Sequence, residues 1–159
     1  MRLFSQQMLT ELAARAGANP RQRAHHNIHP APEDPVQRFF VCANRASYFR
    51  PHRHLTRSEM TIVIRGAFTV LTFDHDGTVT GRHEVGEHAP NLGFETPRAT
   101  WHTLVAMADG STFLEIKEGP YDPSVAAEFA PWAPVEGDPR VRAFVAWLRN
   151  AQPGLAPPR

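Results

Sequence analysis

The chain has 159 residues, 42% hydrophobic and 21% charged, which suits one globular domain and excludes two domains of ordinary size. Seventeen lysines and arginines against 16 aspartates and glutamates leave a net charge of +1, so we expect no nucleic-acid or membrane partner. The single cysteine, Cys42, excludes an intramolecular disulfide and a cysteine-based zinc site and favours a reducing compartment, so we expect a cytoplasmic protein.

The first 35 residues predict a helix followed by an extended arm. Apolar residues recur at helical spacing from Phe4 to Leu12, and Gly17 follows as a helix-terminating residue, which predicts a short amphipathic helix. Four prolines between residues 18 and 35 leave little periodicity after the helix. We therefore expect residues 18–35 to form an arm with several polar side chains.

The residues from Val36 to position 120 predict a set of short strands. β-branched and aromatic runs such as MTIVIRG and AFTVLTF alternate with turn-rich junctions, most clearly at Asp74 to Gly77. Because no helical pattern separates these runs, we expect an all-β sandwich or small antiparallel barrel.

A proline-rich return follows the predicted strands and leads to a second helix. Asp138 followed by Pro139 is typical of a helix N-terminus. We expect one structural domain in three parts: an N-terminal helix and arm (1–35), a barrel (36–120), and a return with a C-terminal helix (121–159).

The sharpest feature is a group of three histidines and one glutamate. His52 and His54 are two residues apart, and such residues point to the same face of a strand. Glu59 opens the next predicted strand, and His102 on a later strand supplies a fourth ligand if the sheet closes on itself. Three imidazoles and a carboxylate suit Zn, Fe, Mn, Co, Ni or Cu better than Mg or Ca. We expect one divalent transition metal per chain; the alternative is burial of these side chains without a metal.

The same alternation predicts arginines near the metal. Period two places Tyr48 and Arg50 on the face of the two histidines, and Arg38 shares a face with Phe40. A guanidinium group binds carboxylate or phosphate in a bidentate manner, which favours an anionic or polyhydroxylated ligand. For Arg38, pairing with a surface carboxylate is the alternative.

A charged pair on the last predicted core strand is a second candidate for the cavity. Glu115 and Lys117 share one face of that strand, and Lys117 is the only lysine in the chain. Together with Tyr48 they are candidate catalytic residues that move a proton while a metal polarises the ligand. The alternative for Lys117 is a solvated strand end.

Two motifs make the sequence resemble the cupins. The first runs from Ala46 to Gly66 and includes the stretch from His52 to Glu59. Ala46 stands at the position where the cupin motif begins with glycine. The second spans Pro97 to His102, with Ala99 at a glycine position. The resemblance implies a double-stranded β-helix, the jelly-roll-like cupin barrel, with a divalent metal in its mouth, here between short N- and C-terminal helices.

Three segments extend the resemblance to the WbuC-type cupin-fold metalloproteins: the arm from Arg23 to His29, the stretch Ser47 to His54, and Lys117 to Tyr121. This subgroup is associated with bacterial surface-polysaccharide gene clusters. The resemblance implies that Asn27 and His29 of the arm close over the pocket as ligand-binding residues.

The predicted function is therefore metal-dependent chemistry on a sugar or small anionic metabolite, with isomerisation, epimerisation and oxygen chemistry all open. The alternative is a non-catalytic binding or sensor module that uses the same metal-lined cavity. Because cupins often pair through sheet edges and the arm is long enough to reach a neighbour, we expect a homodimer.

Overall fold

The structure, a computed structural model, describes residues 1–158, so Arg159 of the predicted C-terminal part lies outside the described residues. Within this range the chain forms two helices, α1 (Gln6–Ala18) and α2 (Val141–Asn150). The described strands are β1 (Arg23–Asn27), β2 (Val36–Ala43), β3 (His52–Arg53), β4 (Glu59–Arg65), β5 (Ala67–Phe73), β6 (Val79–Gly86), β7 (Gly93–Thr96), β8 (Trp101–Ala106), β9 (Ser111–Glu118) and β10 (Glu128–Phe129).

These strands form two antiparallel sheets that enclose a barrel. The first sheet has the order β1-β2-β9-β4-β7, and the second has the order β10-β3-β8-β5-β6. The connections between the sheets are short loops that carry turn residues. The predicted all-β barrel with short helices near both ends is confirmed.

The inner face of the barrel is apolar at one end and polar at the other. The apolar end is a cluster contributed by both sheets: Val41, Ala43, Phe68, Val70, Val85, Leu104, Ala106 and Phe113. The rings of Phe68 and Phe113 meet edge to face, with their centroids 5.3 Å apart. Along β8 and β9 the inner positions change from these apolar residues to His102, Glu115 and Lys117. The functional side chains therefore gather at one end of the barrel.

The two helices cover the outer faces of the sheets. Leu12 of α1 packs against Phe40 and Cys42 of β2, and Ser5 caps the helix by accepting a hydrogen bond from the backbone N–H of Met8. On the other sheet, α2 buries Phe144, Val145 and Leu148 against Leu71, Phe73, Trp101 and Val105. Full burial of one such leucine contributes ~1.5–3 kcal/mol. No helix in residues 1–158 combines the length and apolarity needed to cross a membrane.

Both terminal parts of the chain add a strand to the barrel. The predicted arm contains β1, which pairs antiparallel with β2 at the edge of the first sheet. The return after β9 contains β10, which pairs with β3 at the edge of the second sheet. Two segments outside the central run of strands thus border the polar end of the barrel.

Candidate functional site

Three histidines and one glutamate converge at the polar end of the barrel. His52 on β3 pairs directly with His102 on β8, and their ring centroids are 4.5 Å apart. His54 follows β3 and Glu59 begins β4, so the short connection between these strands brings both side chains to the same point. One nitrogen or carboxylate oxygen from each of the four residues lies within 4.8 Å of the others. The structure therefore brings the four predicted ligands together.

Each of the three imidazoles is oriented by a backbone carbonyl. The Nδ1 atoms of His52, His54 and His102 contact the carbonyl oxygens of Arg50, Ala126 and Thr100, respectively. Because a carbonyl oxygen only accepts, Nδ1 must be the protonated nitrogen in each ring. Nε2 is then the atom that faces the cluster in all three rings, which is the arrangement of histidines that bind a metal.

Glu59 contacts two of these Nε2 atoms. Oε1 lies 2.7 Å from Nε2 of His102, and Oε2 lies 3.0 Å from Nε2 of His54. The His54 contact lacks hydrogen-bond geometry, so this buried nitrogen has no hydrogen-bond partner among residues 1–158. A buried nitrogen of this kind needs a partner, and a cation among three imidazoles and a carboxylate supplies one. The four side chains fit a metal site.

The titration behaviour of the cluster follows from burial and proximity. Burial and the neighbouring His102 lower the pKa of His52 to about 3, so this imidazole is neutral at ordinary pH. Burial raises the pKa of Glu59, but the contacts with His102 and His54 outweigh it and hold that pKa well below its usual range. Burial lowers the pKa of His102, but the hydrogen bond and attraction to Glu59 raise it overall. The protonated form of His102 is therefore stabilised as an ion pair with Glu59.

A cavity of about 440 Å³ opens beside the cluster. It lies within the size range of small-molecule sites. His52 and Glu59 belong both to the cluster and to the cavity wall. The other lining residues are Arg23, His25, Asn27, His29, Pro32, Gln37, Phe39, Val41, Phe49, Leu104, Phe113, Glu115, Lys117 and Tyr121.

Glu115 and Lys117 line the cavity next to the cluster. Nζ of Lys117 lies 2.6 Å from Oε1 of Glu115 and 3.7 Å from Oε2 of Glu59. Burial and the negative charge of Glu59 raise the pKa of Glu115. Burial lowers the pKa of Lys117, but attraction to Glu115 and Glu59 raises it overall, so the ammonium group stays charged. A proton donor and a proton acceptor thus lie side by side in the cavity.

The strand β1 supplies the cavity mouth. Asn27 and His29 line the mouth as predicted, but Arg23 and His25 were missed because the arm was not interpreted as a strand. His25 is paired with Val41 across the β1–β2 ladder and shares its inward face. Period-two alternation through residues 23–27 is the signal that finds them. The guanidinium of Arg23 lies over the ring of Phe49, 5.0 Å from its centroid.

Three predicted site residues lie away from the cavity. Tyr48 is buried against α2, and its hydroxyl donates to the carbonyl of Pro134 at 2.9 Å. Arg50 turns towards Phe129, with its guanidinium 5.3 Å from the ring centroid. Residues 47–51 are not a strand, so period-two alternation does not extend from His52 back to these positions.

Arg38 is the third of these residues. It shares a face with Phe40 as predicted, but this is the outer face of the sheet, where α1 covers Phe40. Arg38 pairs with Asp34 at 3.2 Å, which is the surface ion pair named as its alternative. The inward residues of β2 are Gln37, Phe39 and Val41.

Alanine stands at two glycine positions of the cupin-like motifs, and the two alanines differ in backbone conformation. Ala99 has φ +60°, the left-handed conformation that glycine adopts easily, and its N–H donates to the carbonyl of His54 at 2.7 Å. The turn before His102 is therefore kept with alanine in a strained conformation. Ala46 lies in an ordinary turn after β2 and has no positive φ.

Comparison with known proteins defines the class. The chain is similar to KdgF from Halomonas sp. (20% identity, TM-score 0.51, 67% of this chain and 86% of that one). It is also similar to a cupin 2 conserved barrel domain protein from Rhodopseudomonas palustris (15%, 0.50, 67% and 66%). A third similar structure is the capsular polysaccharide assembling protein CapF from Staphylococcus aureus (16%, 0.54, 66% and 28%). The fold is a cupin barrel.

The model of one family, the domain of unknown function DUF6016, matches residues 4–85. The chain belongs to this family. The matched range covers α1, the edge strand β1, and the part of the candidate metal cluster formed by His52, His54 and Glu59. No curated protein matches the sequence.

Proposed function

We propose that this protein is a divalent-metal-binding cupin that acts on a sugar or small anionic metabolite in bacterial surface-polysaccharide metabolism. The observation that carries the proposal is that the cluster opens onto the cavity, because His52 and Glu59 belong to both. A purely structural metal is enclosed by protein ligands, whereas chemistry requires an exchangeable position. His52, His54, Glu59 and His102 hold one divalent transition metal per chain.

The cavity wall has two chemically distinct parts, which suggests how a ligand lies in it. One part carries the cluster and Lys117, which suit an oxygen-rich or anionic group. The other part, on β1 and just after it, offers hydrogen-bonding side chains that suit hydroxyl groups: Arg23, His25, Asn27 and His29. A sugar or sugar acid has both features.

The side chains of the cavity provide for proton transfer. A divalent ion at the cluster supplies Lewis acidity that polarises a ligand oxygen. Lys117 holds a proton on Nζ, and Glu115 beside it has a raised pKa and exchanges protons nearer neutral pH than an ordinary carboxyl does. The apolar side chains of Val41, Phe49 and Leu104 limit water along the part of the cavity wall that they form. Isomerisation or epimerisation beside a carbonyl uses these functions.

Separate observations support the biological context and the oligomeric state. The WbuC-like segments and the likeness of the fold to a capsular polysaccharide assembling protein support a role in surface-polysaccharide metabolism. Exposed apolar residues support a homodimer: Met60 and Ile64 lie on β4 of the first sheet, and Leu92 lies in the loop before β7.

The proposal is tested by offering metal-loaded protein a panel of sugars and sugar acids in isothermal titration calorimetry, with NMR of the mixture to detect turnover. We expect at least one member to bind only to the metal-loaded protein and to be converted. Metal-dependent binding without conversion would identify a sensor module. Binding that ignores the metal would contradict the proposal.

A further inference from the structure

Residues 119–130, which we call the strap, form one side of the candidate metal site. The strap leads from β9 to β10 and then leaves the barrel. The carbonyl of Ala126, at its middle, accepts the Nδ1 hydrogen of His54. His54 lies just beyond β3, so the strap orients an imidazole that no strand carries. Such outer contacts fix the tautomer and direction of a histidine ligand.

The strap is attached to the strand that carries His52. In the β10–β3 ladder, Phe129 is the partner of His52 and Glu128 is the partner of Arg53. The N–H of Ala130 donates to the carbonyl of Pro51 at 2.9 Å, which extends this ladder by one hydrogen bond. A two-residue strand pair is short, so side-chain contacts must contribute to its stability.

Arg53 and Glu128 form the strongest of these side-chain contacts. Nε of Arg53 lies 2.9 Å from Oε2 of Glu128, and Nη2 lies 3.1 Å from Oε1, so the pair is bidentate. The guanidinium also lies over the ring of Trp101, 4.4 Å from its centroid. Trp101 precedes His102 on β8. The arginine therefore links the strap to both strands that carry histidines of the cluster.

We propose that the Arg53–Glu128 ion pair is a positioning clamp that sets metal affinity by holding the strap against His54. The inference rests on the proposed function, because it requires a metal at the four ligands. Arg53 and Glu128 act on the metal only through the Ala126 carbonyl and the β3 backbone. The two side chains are 29% and 44% exposed, so neither belongs to the core, and the pair contacts the core side chain of Trp101.

The test compares the variants Arg53→Glu and Glu128→Arg with the double variant that exchanges the two charges. Zinc affinity is measured by competition with a chromophoric chelator, and the absorption spectrum of the cobalt-loaded protein reports ligand geometry. Each single variant should bind zinc about fivefold more weakly, the upper range for a partly exposed ion pair. Each should also alter the cobalt spectrum, and the double variant, which restores the ion pair but not the contact with Trp101, should bind zinc more tightly than either single variant.

Arg140→Glu is the matched control, because Arg140 forms an exposed ion pair with Asp138 away from the cluster. It should bind zinc as the wild type does. Glu128→Gln keeps the size of the side chain and replaces Glu128→Arg if that variant does not fold. Hydrogen–deuterium exchange should be faster in the strap of the single variants than in the wild type.

The outcomes separate the clamp from the proposed function. If the wild type binds zinc and the single variants show the same affinity and the same cobalt spectrum, the clamp alone is overturned. Failure of the charge exchange to recover affinity in a folded double variant would also overturn it. Absence of zinc binding by the wild type would overturn the proposed function and, with it, the clamp.

Discussion

Glu59 and His102 come from strands of different sheets and meet across the barrel, with Oε1 of Glu59 2.7 Å from Nε2 of His102. Nδ1 of His102 donates to the carbonyl of Thr100, so both ring nitrogens are donors in this arrangement. The imidazole is then protonated, in agreement with its raised pKa. A metal bound at Nε2 takes the place of that proton.

This relationship predicts that metal affinity falls as the pH is lowered. Above the raised pKa of His102 the imidazole is neutral and no proton competes at Nε2. Below it, binding releases at least one proton, so the affinity should fall about tenfold or more per pH unit. His52, with a pKa of about 3, adds no second proton in mildly acidic solution. Chelator competition with zinc at a series of pH values checks this, and a pH-independent affinity would contradict histidine ligation.

The cavity charges predict that Lys117 contributes to ligand binding without holding the metal. Lys117→Met should weaken binding of the best sugar acid about tenfold or more, since a hydrogen bond to a charged group contributes ~1.5–3 kcal/mol. Metal content should not change, because four other side chains form the cluster. Arg38→Met is the matched control, since Arg38 pairs with Asp34 on the outer face. Calorimetry with metal-loaded protein measures both variants, and equal losses would refute this assignment of the cavity wall.

We expect replacement of Ala99 by glycine to raise the stability of the protein. An alanine in the left-handed conformation costs ~1–2 kcal/mol, and glycine relieves this cost while losing ~0.4–1 kcal/mol through the unfolded chain. Ala99→Gly should therefore raise the free energy of unfolding by up to about 1.6 kcal/mol. Ala146→Gly, in the exposed interior of α2, should lower it by about 1 kcal/mol. Urea denaturation measures both, and destabilisation by Ala99→Gly would show that the turn is not strained.

We expect substitution of Gly66, the glycine that ends the first cupin-like motif, to lower the stability of the protein. Gly66 has φ +70° between β4 and β5, and an added Cβ would lie 2.5 Å from Oγ of Ser111 and 3.1 Å from its Cα. Gly66→Ala should therefore lose more stability than the ~1–2 kcal/mol of left-handed strain alone. Gly137→Ala isolates that strain, because Gly137 has φ +91° and a Cβ there meets nothing within 4 Å. Equal losses in urea denaturation would show that Ser111 yields without cost.

The sequence predicted the barrel and the metal cluster because both depend on local patterns. Alternating short strands identified the sheets, and the spacing of His52, His54 and Glu59 identified most of the cluster. The place of His102 required closure of the sheet, which only the cupin-like motifs supplied. The sequence identified these residues because each lies on a strand, or next to one, that the sequence pattern predicts.

The positions of the three predicted site residues that lie away from the cavity depend on tertiary structure that no local pattern encodes. Arg50 and Tyr48 precede β3 in irregular backbone, where alternation gives no information about direction. Arg38 does share a face of β2 with Phe40, but it was expected near the metal, because the sequence does not state that α1 covers this face. The strap pairs with β3 across about 75 residues, so its contact with His54 is invisible in the sequence.

Metal analysis of the purified protein by inductively coupled plasma mass spectrometry tests the central claim most directly. We expect close to one divalent transition metal per wild-type chain. We also expect loss of that metal in a folded variant that combines His52→Ala with His54→Ala, because half of the ligands in the cluster are removed. A variant that keeps its metal would contradict the assignment of the site.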